Sequence, residues 1–349
     1  MHSTKAAPLT GPALDARFAE IVASLGRRGL LAGAGGLALA ALTGCGEGSP
    51  AAPVGSESAT RTLRGADGEV TVPTHPRRVV CLDYFTAIFL VELGLPPVGG
   101  IDFSWVDDTS MYPAYVAPLR AVKPIGEITK TDIERVAALR PDLVLGPKPG
   151  SRYDNSPGAM KKAAALAPVF AVDFGNTGDW RGPLADTARA VNRTAEHDRL
   201  KAAYQADIQR VRAAHGDLLA RTRVGVLSYA QDGTYALDLP DAGDGVILRD
   251  LGLAWGRASA ANGSNNRELS LEELGRLDDC DLLLYRADSK GVPGNGLDAV
   301  TRLPAWRRLP AVRAGHAYPI GWNDVCGYRW AQQAVADFEG AMKKYTGGV

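Results

Sequence analysis

The stretch that decides the fold lies at residues 183–222 and reads PLADTARAVNRTAEHDRLKAAYQADIQRVRAAHGDLLART. It contains no strand-like run and a single glycine. Apolar side chains recur in it close to the helical repeat, with charged side chains between them. These apolar positions are Leu200, Tyr204, Ile208, Val211 and Leu218. The pattern predicts one helix of roughly thirty residues.

On both sides of this helix, short apolar runs alternate with helical stretches, which is typical of βα units in a mostly parallel sheet. Before it, strand-like runs lie at 78–82, 97–101, 141–145 and 168–172, with helical patterns at 85–93 and 133–139. After it, runs lie at 224–228, 281–285 and 316–320. We therefore expect two Rossmann-like α/β lobes at residues 62–182 and 223–349, joined by the linking helix at 183–222, with a ligand cleft between them.

The N-terminal segment has the marks of an export signal. Arg27 and Arg28 precede an apolar, small-residue stretch that ends at Leu42, shorter than the ~20 residues that span a membrane. The paired arginines resemble a twin-arginine signal, and the run ending in Gly44-Cys45 resembles the lipobox of bacterial lipoproteins. The alternative is a buried helix, which the glycine-rich stretch and the polar run after it disfavour.

We therefore expect residues 1–45 to be a twin-arginine lipoprotein signal peptide, with lipid attached to Cys45. Residues 46–61 are rich in Ser, Ala, Pro and Gly, a composition typical of a flexible tether. The mature protein is then expected at the extracytoplasmic face of the cell membrane, held by its lipid anchor.

The composition disfavours several classes of function. The formal net charge is zero, so no broad basic footprint for nucleic acid is present. The histidines outside the signal segment are scattered without ligand spacing, and no nucleophile motif or phosphate loop follows a strand. We expect no enzyme and no resident metal, with His197 and His215 exposed on the linking helix. Of the cysteines after Cys45, Cys81 and Cys280 are interpreted as buried apolar residues, and a disulfide involving them or Cys326 stays open.

The two halves carry a matching segment, 132–145 in the first and 270–284 in the second. Asp132 and Ser270 are expected as helix N-caps, which places Glu134 and Glu272 in the first helical turn. A single glutamate there complements the helix dipole. A pair at equivalent places on two lobes also suits docking to a two-fold partner with basic sockets.

Taken together, the chain resembles the periplasmic binding proteins that serve iron-siderophore, haem and cobalamin ABC importers, the class with a single long linking helix. The likeness covers about residues 62–346 and is carried by four blocks, at 78–99, 132–145, 269–274 and 306–318. It implies a monomer that captures a ferric chelate and delivers it to a membrane permease. In relatives, one glutamate per lobe docks the permease dimer, and Glu134 and Glu272 occupy those positions.

Aromatic and arginine side chains accumulate after the predicted strands, where ligands bind in open α/β sheets. Aromatic faces supply contact area, and guanidinium groups supply planar donors for chelate oxygens. The expected ligand-binding residues are Tyr84, Trp105, Arg152, Trp180, Arg286, Trp322 and Arg329. Iron is expected to arrive already chelated, so no side chain needs to ligate it.

Two alternatives stay open. One is a haem or cobalamin carrier on the same fold, in which Tyr84 or Tyr229 could serve as an axial haem ligand. The other is a surface lipoprotein without a transport role, such as a sensor. Hydroxamate, mixed and carboxylate siderophores all suit a cleft of aromatic and arginine residues.

Overall fold

In the computed structural model, the described residues are 59–107, 111–260, 264–287, 291–321 and 325–345. The predicted signal peptide, Cys45, residues 46–58 of the tether and Trp322 lie outside them. In the part of the chain so described, no helix is long and apolar enough to cross a membrane.

The first lobe is built on a five-stranded sheet in which every neighbouring pair is parallel. The strands of the whole lobe are β1 (Thr60–Gly65), β2 (Gly68–Pro73), β3 (Val79–Cys81), β4 (Gly99–Gly100), β5 (Lys123–Pro124), β6 (Gly126–Glu127), β7 (Lys130–Thr131), β8 (Leu143–Pro147) and β9 (Val169–Val172). Its helices are α1 (Tyr84–Glu92), α2 (Pro113–Arg120), α3 (Ile133–Ala138), α4 (Ala159–Ala163) and α5 (Arg181–Ala190). The sheet order is β5-β4-β3-β8-β9, while β1–β2 and β6–β7 form separate antiparallel pairs. Strands β3 and β8 are buried throughout, as a parallel sheet covered by helices on both faces requires.

The linking region contains two helices rather than one. The long helix α6 (Thr194–Arg221) has 28 residues, and α5 precedes it. Between them Asn192 has a φ of 56°, a left-handed conformation that Asn tolerates and that ends a helix. The predicted apolar face of α6 is buried at four of its five positions, and Leu219 is buried in place of Leu218.

The second lobe contains a mixed sheet of order β13-β11-β10-β14-β15, with β12 also paired to β10. Its strands are β10 (Arg223–Gln231), β11 (Thr234–Asp238), β12 (Ala254–Trp255), β13 (Asn266–Ser270), β14 (Leu282–Arg286) and β15 (Ala317–Ile320). Its helices are α7 (Gly245–Leu251), α8 (Leu297–Thr301), α9 (Pro304–Arg308), α10 (Pro310–Arg313) and α11 (Tyr328–Met342), with 3₁₀ turns at Arg257–Ser259 and Leu271–Leu277. Strands β10, β14 and β15 are parallel, as the alternation predicts.

Strands β11 and β13 are antiparallel additions that the alternating pattern did not reveal. The β10–β11 hairpin turns at Asp232-Gly233, and both residues have positive φ, at 46° and 81°. This is the Asp-Gly chemistry of a two-residue hairpin, and it is the signal in the sequence that marks the missed strand.

The domain boundaries differ from the predicted ones at both ends. Strand β1 begins at Thr60, inside the predicted tether. At the other end, α11 packs along α6 and reaches back to the first lobe. There the buried carboxylate of Glu92 accepts hydrogen bonds from the Arg329 backbone N–H, at 3.0 Å, and from the Tyr115 hydroxyl. Burial raises the pKa of Glu92. The C-terminal helix therefore ties the two lobes together beside α6.

Candidate ligand-binding cleft

A cavity of about 340 Å³ lies between the lobes, at the carboxyl ends of β3, β8, β10 and β14. That volume falls in the range of small-molecule sites, and the location is the one expected for α/β sheets. The first lobe contributes Phe85, Arg152, Tyr153 and Gly178, and the second contributes Ser228, Tyr229, Asp238, Ala242, Gly243, Asn265, Asn266, Arg286, Val325 and Cys326.

The first lobe presents an aromatic wall, which we define as Trp105, Tyr84, Phe85 and Tyr153. Tyr84 stacks on Trp105 with ring centroids 5.8 Å apart and meets Phe85 edge-on at 5.2 Å. Phe85 in turn meets Tyr153 edge-on at 5.6 Å. Trp105 is 53% exposed, so the wall ends in a large aromatic surface open to solvent.

Arg152 continues this wall. Its guanidinium carbon lies 5.0 Å from the centroid of the Tyr153 ring, and Nη1 donates to the Asn176 carbonyl oxygen at 3.2 Å. Neither contact neutralises its charge. Of these predicted ligand-binding residues, Arg152 lines the cavity, whereas Tyr84 and Trp105 do not line it and adjoin it through the ring contact of Tyr84 with Phe85.

The second lobe presents a buried triad, which we define as Arg286, Asp238 and Asp244. Nη2 of Arg286 donates to Oδ2 of Asp238 at 3.0 Å and to Oδ2 of Asp244 at 3.1 Å. Asp244 also accepts the Val325 backbone N–H at 2.9 Å. All three side chains are at most 10% exposed. Arg286 lines the cavity, and it donates to two carboxylates there.

Tyr229 lies at the end of β10 on the same side as the triad. Its hydroxyl donates to Oε1 of Glu268 at 2.7 Å. Desolvation, reinforced by that carboxylate, raises the pKa of Tyr229 to about 12. The side chain is therefore a protonated donor at neutral pH.

Trp180 and Arg329 do not line this cavity. Trp180 is buried, packs edge-on against Tyr328 at 4.9 Å, and donates from Nε1 to the Gly243 carbonyl oxygen at 3.4 Å. Arg329 forms an ion pair with Glu196 of α6 at 3.0 Å. Both side chains connect elements of the scaffold in the structure. Trp322 lies outside the described residues.

Several cavity residues were missing from the predicted set. Phe85 follows the predicted residue Tyr84 in the sequence, and Tyr153 follows the predicted residue Arg152. Including the next residue at each position would have added both to the predicted set. Asp238 and Asp244 bound the run DLPDAGD at 238–244. That acidic loop follows strand β11, which was not predicted. The Asp-Gly turn between β10 and β11 was the feature of the sequence that could have indicated this strand.

The matching segments of the two lobes adopt the predicted caps. Asp132 accepts the backbone N–H of Glu134 at 3.0 Å at the start of α3. Ser270 forms a capping box with Glu273 at the 3₁₀ turn Leu271–Leu277. Glu134 is half-buried and Glu272 is exposed. The first turn therefore carries Glu134 in the first lobe, and both Glu272 and Glu273 in the second lobe.

Two further expectations concern histidine and cysteine. His197 is buried, not exposed as expected, because α6 turns it toward Tyr328, whose ring centroid is 5.5 Å away. Cys81 and Cys280 are buried, as expected, and Cys326 is buried as well. None of the three forms a disulfide among the described residues. Among the described residues, no group of three or more His, Cys, Asp or Glu side chains is placed to hold a metal ion.

A family model described as periplasmic binding protein matches residues 79–321. The chain is 28% identical over 303 residues to a Bacillus subtilis protein named "Probable siderophore-binding lipoprotein YfiY", covering 81% of this chain and 88% of that protein.

Solved structures share the fold. The siderophore periplasmic binding protein from the fuscachelin gene cluster of Thermobifida fusca aligns with a TM-score of 0.66 at 24% identity, over 78% of this chain and 98% of that one. Staphylococcus aureus SirA, solved with staphyloferrin B, aligns with a TM-score of 0.65 at 19% identity, over 81% and 99% of the two chains. These likenesses confirm two α/β lobes joined by a long helix.

Proposed function

Because this chain belongs to the periplasmic binding protein family, we propose that it captures a ferric siderophore outside the cytoplasmic membrane and delivers it to the permease of an ABC importer. The family consists of binding proteins, so the chain is not an enzyme. The observation that carries the proposal is the cavity between the lobes, with an aromatic wall facing polar side chains at the strand ends.

The chemistry of the cavity suits a chelate more than a bare ion. A ferric siderophore surrounds its metal with its own oxygen ligands and presents an organic surface. The aromatic wall offers contact area with little loss of conformational freedom, and Arg152 offers guanidinium donors to chelate oxygens. Relatives named for siderophore and Fe(3+)-citrate binding support this ligand class.

The test is a titration of the chain carrying Cys45→Ala, which leaves it unacylated. Tryptophan fluorescence is followed against a panel of ferric siderophores, haem, cobalamin and free Fe³⁺. We expect saturable quenching by at least one siderophore, because the exposed Trp105 stacks on Tyr84, whose ring contacts the cavity residue Phe85. Quenching by free iron alone would contradict the chelate proposal, and a response confined to haem or cobalamin would favour the alternative cargo.

Delivery is proposed to use Glu134 and Glu272 as contacts with a permease dimer. Their support is positional: each lies in the first turn after a capped start, one on each lobe. Basic sockets on a two-fold partner would complement such a pair. The carrier itself is proposed to act as a monomer.

Anchoring is proposed to occur through lipid on Cys45 after twin-arginine export, with the protein held at the extracytoplasmic face of the membrane. The lipobox-like sequence and the lipoprotein names of relatives support it. A tether near a permease raises the effective concentration of captured chelate. Cys45→Ala is expected to move the protein from the membrane fraction to the soluble fraction, and an unchanged distribution contradicts the anchor.

A further inference from the structure

A glycine of the first lobe meets the backbone of the second lobe at the cleft. Gly178 lines the cavity and donates its backbone N–H to the carbonyl oxygen of Asp241, in the second lobe, at 3.1 Å. A Cβ atom at Gly178 would lie 2.6 Å from the backbone nitrogen of Gly243 and 3.2 Å from the carbonyl carbon of Ala242. Non-bonded carbon contacts are about 3.5 Å or longer, so a side chain here would push the lobes apart by about 1 Å.

Gly327 makes the reciprocal contact from the second lobe. It lies at the N-cap of α11, directly after the cavity residue Cys326. A Cβ atom at Gly327 would lie 2.7 Å from Oη of Tyr115 and 3.5 Å from Oε2 of Glu92, both in the first lobe. Those two side chains are fully buried and hydrogen-bonded to each other, so neither is free to move aside. Each lobe therefore contributes one glycine to the contact with the other.

Backbone conformation does not require glycine at either position. Gly327 has a φ of 169°, which is extended backbone open to any residue, and Gly178 is not among the described residues with positive φ. Alanine can therefore adopt both conformations, and it is the opposite lobe that excludes a side chain. Gly182 on α5 and Gly340 on α11 differ, because a Cβ atom at either would meet no described atom within 4 Å outside its own helix.

Polar contacts hold the lobes together around Gly178. Trp180 of the first lobe donates from Nε1 to the carbonyl oxygen of Gly243 at 3.4 Å. Nη1 of Arg181, at the start of α5, forms an ion pair with Oδ2 of Asp250 in the second lobe at 2.8 Å. These contacts draw the lobes together to the separation that the bare backbone at Gly178 allows.

We infer that Gly178 and Gly327 are positioning residues, which set the width of the cleft and thereby the affinity for the captured chelate. This inference rests on the proposed function. Neither glycine has a side chain to offer the ligand, so both act through the groups that they bring opposite each other. Arg152 and Tyr153 line the cavity from the first lobe, and Tyr229 lines it from the second. A ligand that contacts both walls is sensitive to their separation, because binding groups must be held to within about 0.5 Å.

The experiment compares Gly178→Ala and Gly327→Ala with the matched controls Gly182→Ala and Gly340→Ala, all on the chain carrying Cys45→Ala. Amide hydrogen exchange of the ligand-free chains is followed by NMR. The two reporters are the amide at position 178, which donates to Asp241, and the amide of Arg329, which donates to Glu92. Exchange at position 178 in Gly178→Ala, and of the Arg329 amide in Gly327→Ala, is expected to be about tenfold faster. The controls should leave both rates unchanged.

Dissociation constants of the same chains are measured by tryptophan quenching with ferrichrome, ferric desferrioxamine B, ferric enterobactin and ferric citrate. Any chelate of this panel that binds the chain with both glycines is expected to bind about tenfold more weakly to Gly178→Ala and to Gly327→Ala. Its affinity for the two controls should be unchanged. Slow exchange of the amides of β3 and β10 verifies that both lobes of each variant are folded.

The outcomes separate the inference from the proposed function. Unchanged exchange in both cleft variants, or unchanged affinity in a variant whose exchange is faster, overturns the positioning role and leaves siderophore capture standing. If one variant loses the slow exchange of β3 and β10, the other variant decides. If both lose it, the glycines serve folding and the positioning role is overturned. Failure of every chelate to bind the chain with both glycines contradicts the proposed function, and the inference fails with it.

Discussion

The aromatic wall of the first lobe and the buried triad of the second differ in how far they are exposed to solvent. The aromatic wall of the first lobe is largely a surface: Trp105 is more than half exposed, and Tyr84 and Phe85 are half-buried. The buried triad of the second lobe is almost wholly enclosed. An exposed aromatic surface contributes to ligand affinity at little cost to folding, whereas a buried ionic cluster is coupled to folding as a whole. The comparison predicts that affinity and stability reside on opposite walls.

The lobes also differ in how they accommodate buried carboxylates. In the second lobe, Asp238 and Asp244 share the guanidinium of Arg286. In the first lobe, Asp83 caps α1 and accepts from the backbone N–H and hydroxyl of Thr86, at 2.9 and 2.6 Å. Hydrogen bonds alone do not offset its desolvation, and burial raises the pKa of Asp83 to about 6. The buried carboxylates of the second lobe are therefore stabilised by a guanidinium group, whereas that of Asp83 has only hydrogen bonds and its desolvation is not fully offset.

The largest effect is expected from Arg286→Met. The substitution removes the guanidinium group that donates to both Asp238 and Asp244, so the free energy of unfolding should fall by about 4 kcal/mol at neutral pH. Urea unfolding followed by circular dichroism measures it. Adding Asp238→Asn and Asp244→Asn to the same chain should recover much of that loss, because the two side chains that accept from Arg286 are then neutral. A loss below about 1 kcal/mol for Arg286→Met would mean that the triad is not coupled to folding.

The second effect concerns pH. Because the pKa of Asp83 is raised in the folded state, its contribution to stability is present in acid and is lost as pH rises through about 6. Asp83→Asn keeps an N-cap of similar quality and removes the titration. Relative to the variant, the unsubstituted chain should lose about 2 kcal/mol between about pH 4 and about pH 7.5.

Urea unfolding of both chains across that range measures the difference. Asp298→Asn provides the control. Because Asp298 is an exposed acid on α8, the difference in free energy of unfolding between this variant and the unsubstituted chain should hardly change with pH. If the difference in free energy of unfolding between Asp83→Asn and the unsubstituted chain did not change with pH, the raised pKa of Asp83 would be contradicted.

The contrast between the walls also explains what the sequence could predict. The linking helix α6 was predictable because its apolar repeat is local and long. The aromatic wall was partly predictable because Tyr84 lies shortly after β3, and the adjoining Arg152 was predictable because it lies in the loop after β8. The triad was not, because Asp238, Asp244 and Arg286 meet only through the order β11-β10-β14, and β11 is a short antiparallel strand. Arg286 alone suggested a ligand contact, and its two partners were absent from the expected set.

Docking provides a comparison that requires both lobes. Glu134→Lys and Glu272→Lys should each lower uptake of the chelate about tenfold, and the double substitution about 100-fold, since each reverses one charge pair with the permease. Uptake of radioactive iron by cells measures the effect, and ligand affinity of the purified chain should not change. Glu69→Lys, an exposed change on β2, serves as the control. Undiminished uptake in the double variant would contradict docking through these glutamates.

The smallest effect is expected from Trp105→Ala on the aromatic wall. Removing the indole should weaken binding of the preferred chelate about tenfold, since the ring stacks on Tyr84 and supplies open contact area. The free energy of unfolding should change by less than about 1 kcal/mol, because the side chain is mostly exposed. Trp105→Phe should retain most of the affinity, and Ile128→Ala, an exposed apolar change elsewhere, should alter neither quantity. If Trp105→Ala costs stability as Arg286→Met does, or leaves affinity intact, the division of roles between the two walls is wrong.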